Sequence, residues 1–451
     1  MRRQSNGGAP VIPGQAVVRL DPPPAVREIA QRLERAGHET WCVGGAVRDA
    51  LLGHAHLDWD LATAATPPEV LRLFRRTVPV GIAFGTVGVI ASDGVMYEVT
   101  TFRRDVDTDG RHAVVEFGAS LDEDLARRDF TINAIAYSPS RESLHDPFDG
   151  RRDLAARVLR AVGEPATRMA EDRLRALRAF RFAARFGLAI EPATWRAIVD
   201  STPHLGRLSA ERVQQEIQKT MDQVARPSEA FSSWRESGAL AELVPPLSAI
   251  TTPALRTLDC IPLPRGARRD QRRSTRTTAL FLDVADVDVA RTLKALRFSN
   301  AETRWISRQV ELFHLLGGEM ERSLMAAGPG PTDAEIRRWV ARAGRTRFGP
   351  LVRLAAARWG ALRDAGLPSP PAVAIAALYA RALRIAFRDP VELGDLAIDG
   401  DDLRSAGIPG GPGLGSILRT LLAEILDDPR LNTRDRLLAR ARELGDDSTE
   451  R

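Results

Sequence analysis

Residues 39–60 constrain the fold more than any other stretch of this 451-residue chain. They read ETWCVGGAVRDALLGHAHLDWD. The segment from Glu39 to Val43 has the β-branched and aromatic composition of a short strand, and Gly44 and Gly45 then permit a tight turn before a helix. The first amides of a helix have no internal partner, and its dipole is positive there. The turn therefore either cradles phosphates or simply connects a strand to a helix.

Two aspartates, Asp58 and Asp60, follow this helix in the segment LDWDLAT. The segment alternates like a strand, so both carboxylates are predicted to face the same side. Neighbouring carboxylates repel each other, and a divalent cation with oxygen ligands relieves that repulsion. Two such ions, about 3.5–4 Å apart, can activate an attacking hydroxyl and neutralise a leaving pyrophosphate. A lone DxD is usually a solvated turn, but its distance from GG-x-V-R-D favours a metal site.

VGGAVRD followed by DxD resembles the head of class II nucleotidyltransferases, the family of bacterial tRNA CCA-adding enzymes and bacterial poly(A) polymerases. The resemblance implies an α/β head with the nucleotidyltransferase fold, in which helices flank a mixed sheet. It also implies that Asp58 and Asp60 are catalytic and bind Mg²⁺. Gly45 and Arg48 would then orient the incoming triphosphate and ribose.

GTVGVI and VMYEVTTFRR read as two further strands. The period of two places Met96, Glu98 and Thr100 on one face. Since EVTTFR resembles the corresponding strand of the family, Glu98 is a candidate third carboxylate, which would support the metal site or deprotonate the attacking hydroxyl. It could equally be a charge at the strand edge.

The polar, glycine-containing segment 103–124 is predicted to be a mobile loop. It leads into RRDFTINA, a close match to a family motif, in which Arg127, Arg128 and Asp129 are expected to precede an amphipathic helix. The resemblance implies that Arg128 meets a triphosphate or sugar. In isolation, the same residues would be an exposed helix start.

EDRLRALRAFRFAARFG, residues 171–187, predicts one long helix on which Asp172 and Arg175 are surface neighbours. They would normally form a weak ion pair. The resemblance instead implies a protein template in which both side chains read the base of CTP or ATP. Arg178 and Arg181 also match nucleotide-contacting positions, and we assign them to phosphate contact or structural support. The helix expected over 208–221 would brace this template.

The amino-acid composition indicates which kinds of partner the protein can bind and where it is expected to act. The net charge of +5 favours a polyanionic partner, with nucleic acid the leading candidate. A hydrophobic share of 44% excludes disorder throughout. Two cysteines imply no disulfide framework and a reducing compartment. We find no signal peptide and no run of about 18 apolar residues, so a soluble, cytoplasmic protein without membrane association is expected.

Beyond Pro227 the pattern is entirely helical. The basic run 264–276 is predicted to be a solvated loop in preference to a phosphate-contacting patch. TALFLDV lacks the histidine of a phosphohydrolase motif, so that activity is not expected. Residues 396–441 resemble the tail of CCA-adding enzymes. The glycines of this stretch, up to Gly415, are expected to precede a helix, so that the amides of Gly413 to Ser416 either hold a nucleic-acid phosphate or belong to a close helix–helix contact.

The resemblance thus predicts a template-independent, metal-dependent enzyme that adds CCA to tRNA 3′ ends from CTP and ATP. A poly(A) polymerase, or an enzyme that adds only CC or only A, remains open. No stable protein partner is implied. The expected divisions are a flexible leader (1–22), the nucleotidyltransferase head (23–160), a neck with the template helix (161–225), a helical body (226–385) and a helical, tRNA-binding tail (386–451).

Overall fold

The computed structural model describes residues 20–54, 58–108, 113–261 and 269–449. The chain divides into two compact units. The first holds the chain up to Ala225 together with Glu229–Pro245, and the second holds Arg226–Ser228 and everything from Pro246 onward. The finer division into neck, body and tail stays a prediction.

A seven-stranded sheet forms the centre of the first unit, in the order β3-β4-β5-β2-β1-β8-β9. β2 and β5 are parallel and the other neighbours antiparallel, so the sheet is mixed, which confirms the expected fold class. The strands are Thr40–Val43 (β1), Asp60–Thr63 (β2), Thr77–Gly81 (β3), Thr86–Ile90 (β4), Met96–Thr101 (β5), Arg103–Thr108 (β6), Ala113–Phe117 (β7), Ala136–Ser138 (β8), Ser143–His145 (β9), Val158–Leu159 (β10) and Ala189–Ile190 (β11).

Eleven α-helices accompany these strands in the described part of the chain up to Leu243. They are Pro24–Arg35 (α1), Gly45–Leu51 (α2), Pro67–Leu73 (α3), Leu121–Ala126 (α4), Gly150–Ala156 (α5), Pro165–Glu171 (α6), Leu174–Phe186 (α7), Pro192–Ser201 (α8), Ala210–Gln223 (α9), Pro227–Glu236 (α10) and Ala239–Leu243 (α11). At the start of α3, Thr66 and Glu69 form a capping box, in which Glu69 accepts the amide of Thr66 at 2.8 Å. The chain is already packed at Leu20, which is buried and whose carbonyl accepts the hydroxyl of Tyr137.

The prediction of a loop over 103–124 was wrong for its described residues. β6 and β7 pair as an antiparallel hairpin, and Arg104 contacts Glu116 across it at 2.8 Å. α4 then begins at a capping box in which Ser120 and Glu123 satisfy each other's amides. Charge density suggested a loop, but cross-strand ion pairing lets charged residues occupy an exposed hairpin. Residues 109–112 lie outside the described chain.

The amphipathic helix expected after Asp129 is also absent from the described chain. A 3₁₀ turn, Thr131–Asn133, is followed by β8. Every residue from Asp129 to Pro139 is buried, so there is no polar face for an amphipathic helix to present.

The single helix predicted over 171–187 is broken. Asp172 lies between α6 and α7 with an extended backbone, at φ −146° and ψ 104°. Its Oδ1 accepts the amide of Leu174 at 3.0 Å, so this carboxylate serves as a cap at the start of α7. Gly187 ends α7 at φ 63°, as the sequence predicted.

The described part of the second unit is helical, as expected. Its further helices are Thr252–Arg256 (α12), Arg269–Leu280 (α13), Asp286–Ala295 (α14), Asn300–Met325 (α15), Asp333–Ala343 (α16), Arg345–Asp364 (α17), Ala372–Arg388 (α18), Gly400–Ser405 (α19), Pro412–Asp427 (α20) and Arg434–Thr449 (α21). None of the described helices is long and apolar enough to span a membrane. Cys42 and Cys260 are both free thiols, in agreement with the sequence.

Two predictions for the second unit need correction. The basic run 264–276 is not a loop where it is described, because α13 begins at Arg269 and buries Arg276. The rest of that run lies outside the described residues. The tail amides from Gly413 onward do not precede a helix, since α20 already begins at Pro412 after Gly411 at φ 138°.

Replacing Gly150 by alanine tests how tightly the head is packed around the 3₁₀ turn. A Cβ there would lie 2.2 Å from the carbonyl oxygen of Thr131 and 2.8 Å from a side-chain carbon of Ile135. Because the nearer atom belongs to the backbone, Gly150→Ala should lower the free energy of unfolding by about 1–3 kcal/mol or more. Gly394→Ala, where a Cβ meets nothing within 4 Å, is the control. Equal urea midpoints for both variants would contradict the packing.

Candidate active site

One cleft of about 810 Å³ in the first unit contains every candidate residue. The sequence-predicted residues that line it are Gly45, Arg48, Asp58, Asp60, Glu98, Arg128, Asp172, Arg175, Arg178 and Arg181. Further polar residues line the same cleft without having been chosen as candidates, namely Asp124, Arg127, Asp129, Asn133, Arg185, Arg212, Lys219 and Gln223.

Carboxylates form one part of the cleft. Asp58 lies two residues before Asp60, the first residue of β2, and Trp59 between them is buried. β2 and β5 run parallel with Leu61 opposite Val99, so Asp60 and Glu98 precede this pair on adjacent strands. The predicted alternation of the two aspartates is therefore found, although β2 begins at Asp60, two residues after the first aspartate of the motif.

The crowding of acids affects the protonation of Asp60. Burial, together with the negative charges of Asp58 and Glu98, raises the pKa of Asp60 to about 7, against a smaller opposing effect of Arg128. A cation held by Asp58 and Asp60 would remove this repulsion, so the donor set fits a divalent metal ion. Within the described residues, no group of three His, Cys, Asp or Glu side chains is arranged to hold a metal ion. The structure thus gives no support to Glu98 as a third metal ligand.

The glycine turn and Arg128 fit closely together. Gly44 has φ 73°, and a Cβ there would lie 3.0 Å from Nη1 of Arg128. Asp124 is buried and accepts from Arg127 at 2.9 Å and from Arg128 at 3.0 Å. Although burial opposes it, these two guanidiniums hold the pKa of Asp124 below its usual range. Nε of Arg128 is buried and has no hydrogen-bond partner among the described residues.

A buried network connects α2 with α7. Arg48 donates to Asp49 at 2.7 Å and to the side-chain oxygen of Asn133 at 2.5 Å. Asn133 donates in turn to Asp129 at 2.9 Å, and the other oxygen of Asp129 accepts from Arg178 at 2.9 Å. Burial lowers the pKa of Arg48, but the carboxylate of Asp49 opposes this effect. Two arginines that were predicted separately are therefore positioned by one chain of hydrogen bonds.

Phe182 is the apolar centre of this arginine cluster. The guanidinium carbons of Arg48 and Arg178 lie 5.2 Å from the ring centroid, and that of Arg181 lies 4.4 Å away. Arg181 also donates to the buried Glu216 at 2.7 Å. These contacts favour a structural role for Arg181, because its charge is already paired. They also show how α9 braces α7, as expected for the helix over 208–221.

Asp172 and Arg175 do not form the intrahelical pair considered above. Asp172 accepts from Nη2 of Arg212 at both oxygens, at 3.0 and 2.8 Å. Arg175 is buried and donates to Glu171 at 2.7 Å and to two backbone carbonyls, those of Arg127 and Arg168. The helix break after α6 keeps Asp172 and Arg175 from pairing, because each side chain faces its own partner.

Sequence reasoning assigned no role to Asp129 or Asn133. Both are polar residues in RRDFTINA that lie among the apolar residues Phe130, Ile132 and Ala134, and the structure buries all five. Buried polar groups need hydrogen-bond partners, so this mismatch was a usable signal.

Residues 40–160 match the family described as "Poly A polymerase head domain", and residues 187–250 match "Probable RNA and SrmB- binding site of polymerase A". With the mixed sheet and the paired carboxylates, these matches define the class of nucleotidyltransferases that have a poly(A) polymerase head. A CCA-adding enzyme of Limosilactobacillus fermentum is 33% identical over 424 residues, which cover 93% of this chain and 96% of that protein. The chain belongs to the family of CCA-adding enzymes.

Two other relatives support this conclusion. The CCA-adding enzyme of Geobacillus kaustophilus is 41% identical over 263 residues, a match that spans 57% of this chain but only 63% of that relative. The crystal structure of the Bacillus stearothermophilus CCA-adding enzyme in complex with CTP is 30% identical, with a TM-score of 0.72 over 94% of this chain and 98% of the other.

The raised pKa of Asp60 predicts a pH-dependent stability of the metal-free protein. An unfolded aspartate titrates near pH 3.9, whereas Asp60 in the folded chain titrates near 7. Because the folded pKa is the higher one, the stabilising contribution is full below about pH 4 and is lost as the pH rises to about 7. In thermal melts from pH 5 to 8 in EDTA, the melting temperature of Asp60→Asn should therefore rise relative to that of the parent protein as the pH increases to about 7. A constant difference would contradict the raised pKa.

Proposed function

We propose that this chain adds C, C and A to tRNA 3′ ends from CTP and ATP, with release of pyrophosphate. The observation that carries the proposal is that one cleft holds the paired carboxylates Asp58 and Asp60 together with Asp172 and Arg175. The first pair suits phosphoryl transfer and the second suits base selection. A similar protein was crystallised with CTP, which supports the nucleotide assignment.

The triphosphate is bound at the arginine side of the cleft. Asp124 fixes Arg128 and Asn133 fixes Arg48, so neither group needs to be ordered when the nucleotide binds. Gly45 begins α2 beside them, where backbone amides face the cleft. Arg178, fixed by Asp129, adds positive charge at the same side.

Asp58 and Asp60 would hold Mg²⁺, which supplies activation of the attacking hydroxyl and neutralisation of the leaving pyrophosphate. The mutual repulsion at Asp60 is the structural support for this assignment. Glu98 is exposed and lies beside these acids, so the role that suits it is acceptance of the proton from the acceptor hydroxyl.

Asp172 and Arg175 keep hydrogen-bonding capacity for a base. A carboxylate offers about four acceptor sites, and the described contacts to Leu174 and Arg212 occupy about three. Arg175 uses three of its roughly five N–H groups on Arg127, Arg168 and Glu171. An acceptor and a donor therefore remain, as the amino group and ring nitrogen of cytosine or adenine require.

The tail amides near Gly413 and the +5 net charge remain the proposed contributors to tRNA binding. We expect no stable protein partner. A tRNA-processing role would place the protein in the cytoplasm, as the sequence led us to expect.

The decisive experiment supplies the purified protein with Mg²⁺, CTP or ATP, and tRNAs that end before, within and after CCA. Sequencing of the products should show C, C and A added in order and then no further addition. Asp58→Asn should abolish incorporation, since it removes one of the paired carboxylates. Runs of A on every tRNA would instead identify a poly(A) polymerase, and products that stop at CC or need a CC end would identify a partial enzyme.

Base selection has its own test. Asp172→Ala should relax the preference for CTP over UTP by roughly tenfold to a hundredfold, because a good bidentate base contact is worth about 1–3 kcal/mol of discrimination. Asp200→Asn, an exposed carboxylate on α8, controls for the loss of charge. The ratio of incorporation should be measured beside the melting temperature. An unaltered ratio in Asp172→Ala would exclude the template role even if CCA is added.

A further inference from the structure

The sheet extends on both sides of the paired carboxylates. In the order β3-β4-β5-β2-β1-β8, β2 carries Asp60, with β1 and β8 on one side and β5, β4 and β3 on the other. Arg48 follows β1 and Arg128 precedes β8, so both arginines are connected to the same side of β2. None of the residues that have been assigned a function lies on β4 or β3, the strands beyond β5.

An exposed apolar surface lies on those strands. Met96 and Glu98 alternate on β5 and therefore share a face, and Gly88 of β4 stands directly opposite Glu98. A Cβ at Gly88 would lie 2.7 Å from Sδ of Met96 and 2.9 Å from Cγ2 of Val80. Met96 and Val80 therefore meet above Gly88, next to Glu98, and are 42% and 44% exposed. We call this surface the Met96–Val80 platform.

The geometry of phosphoryl transfer indicates what this surface faces. The attacking and leaving oxygens lie roughly in line on opposite sides of the phosphorus. If the arginines on the β1 and β8 side hold the leaving pyrophosphate, the attacking hydroxyl must approach from the β5 side. The nucleotide that carries this hydroxyl then extends over β5 and β4, where the platform lies.

We propose that the Met96–Val80 platform binds the base of the 3′-terminal nucleotide of the RNA acceptor. This proposal rests on the proposed function. The terminal base changes as each nucleotide is added, so its site must accept different bases. An apolar surface suits that requirement, because every base has a π-face, whereas hydrogen-bonding groups would discriminate between bases. The platform also adjoins Glu98, which lies where the attacking hydroxyl would lose its proton.

The test measures how tightly a minihelix RNA that ends in CC binds, by fluorescence anisotropy, because this readout does not need turnover. Met96→Ala should weaken RNA binding about tenfold, as expected for the loss of an apolar contact of this size, and leave the dissociation constant of ATP unchanged. Val95→Ala is the matched control, since Val95 is 49% exposed and adjoins Met96 in the chain but precedes β5. Val80→Thr, which keeps the side-chain shape, should act in the same direction if Met96→Ala fails to fold.

An RNA that lacks only its terminal base completes a double-mutant cycle. The parent protein should bind this abasic RNA about tenfold more weakly than the intact RNA, whereas Met96→Ala should bind both almost equally, because the platform and the base act as one contact. If removal of the terminal base weakened RNA binding equally in the parent protein and in Met96→Ala, the proposal would be overturned. So would unchanged RNA binding by both Met96→Ala and Val80→Thr. Nucleotide transfer by the parent protein to the intact RNA is scored separately, and its absence would overturn the proposed function instead.

Discussion

The arrangement of the cleft depends on the repulsion between Asp58, Asp60 and Glu98, balanced by the fixed guanidiniums around Phe182. Neither group is stable alone in a partly buried site, because like charges raise each other's electrostatic energy. The protein fixes the arginines with Asp129, Asn133 and Glu216, and leaves the repulsion at Asp60 unrelieved. Under the proposed function, a cation at Asp58 and Asp60 and a polyanion at the arginines would each neutralise one of these two groups of charge.

The fold supplies the positions for this chemistry. The sheet places Asp60 and Glu98 on adjacent parallel strands, and the turn at Gly44 lets Arg128 approach the backbone closely. α7 then carries the remaining arginines on a helix that α9 holds through Glu216. Since these elements belong to one compact unit, the distances within the cleft are set by the packing of that unit.

The sequence predicted those parts of the site that depend on local signals. The strand before Gly44 and the alternation of Asp58 and Asp60 are each encoded within a few neighbouring residues. Residue patterns could not reveal the break at Asp172, because that backbone conformation is stabilised by Arg212 on another helix. The hairpin of β6 and β7 was missed because its charged residues suggested a loop, whereas Arg104 and Glu116 pair across the two strands.

Asp172 lies at a joint between two helices, where an uninterrupted helical hydrogen-bond ladder does not fix its backbone torsions. Cytosine and adenine hold their amino groups at different distances from the ribose, so one rigid acceptor cannot reach both equally well. A residue at a joint can change its reach by backbone torsion. A change in the torsions of Asp172 would affect two local backbone hydrogen bonds, from Asp172 to Arg168, at 3.5 Å, and from Arg175 to Asp172, at 3.0 Å. If Asp172 reads the base as proposed, this joint would let one carboxylate serve a pyrimidine and a purine in turn.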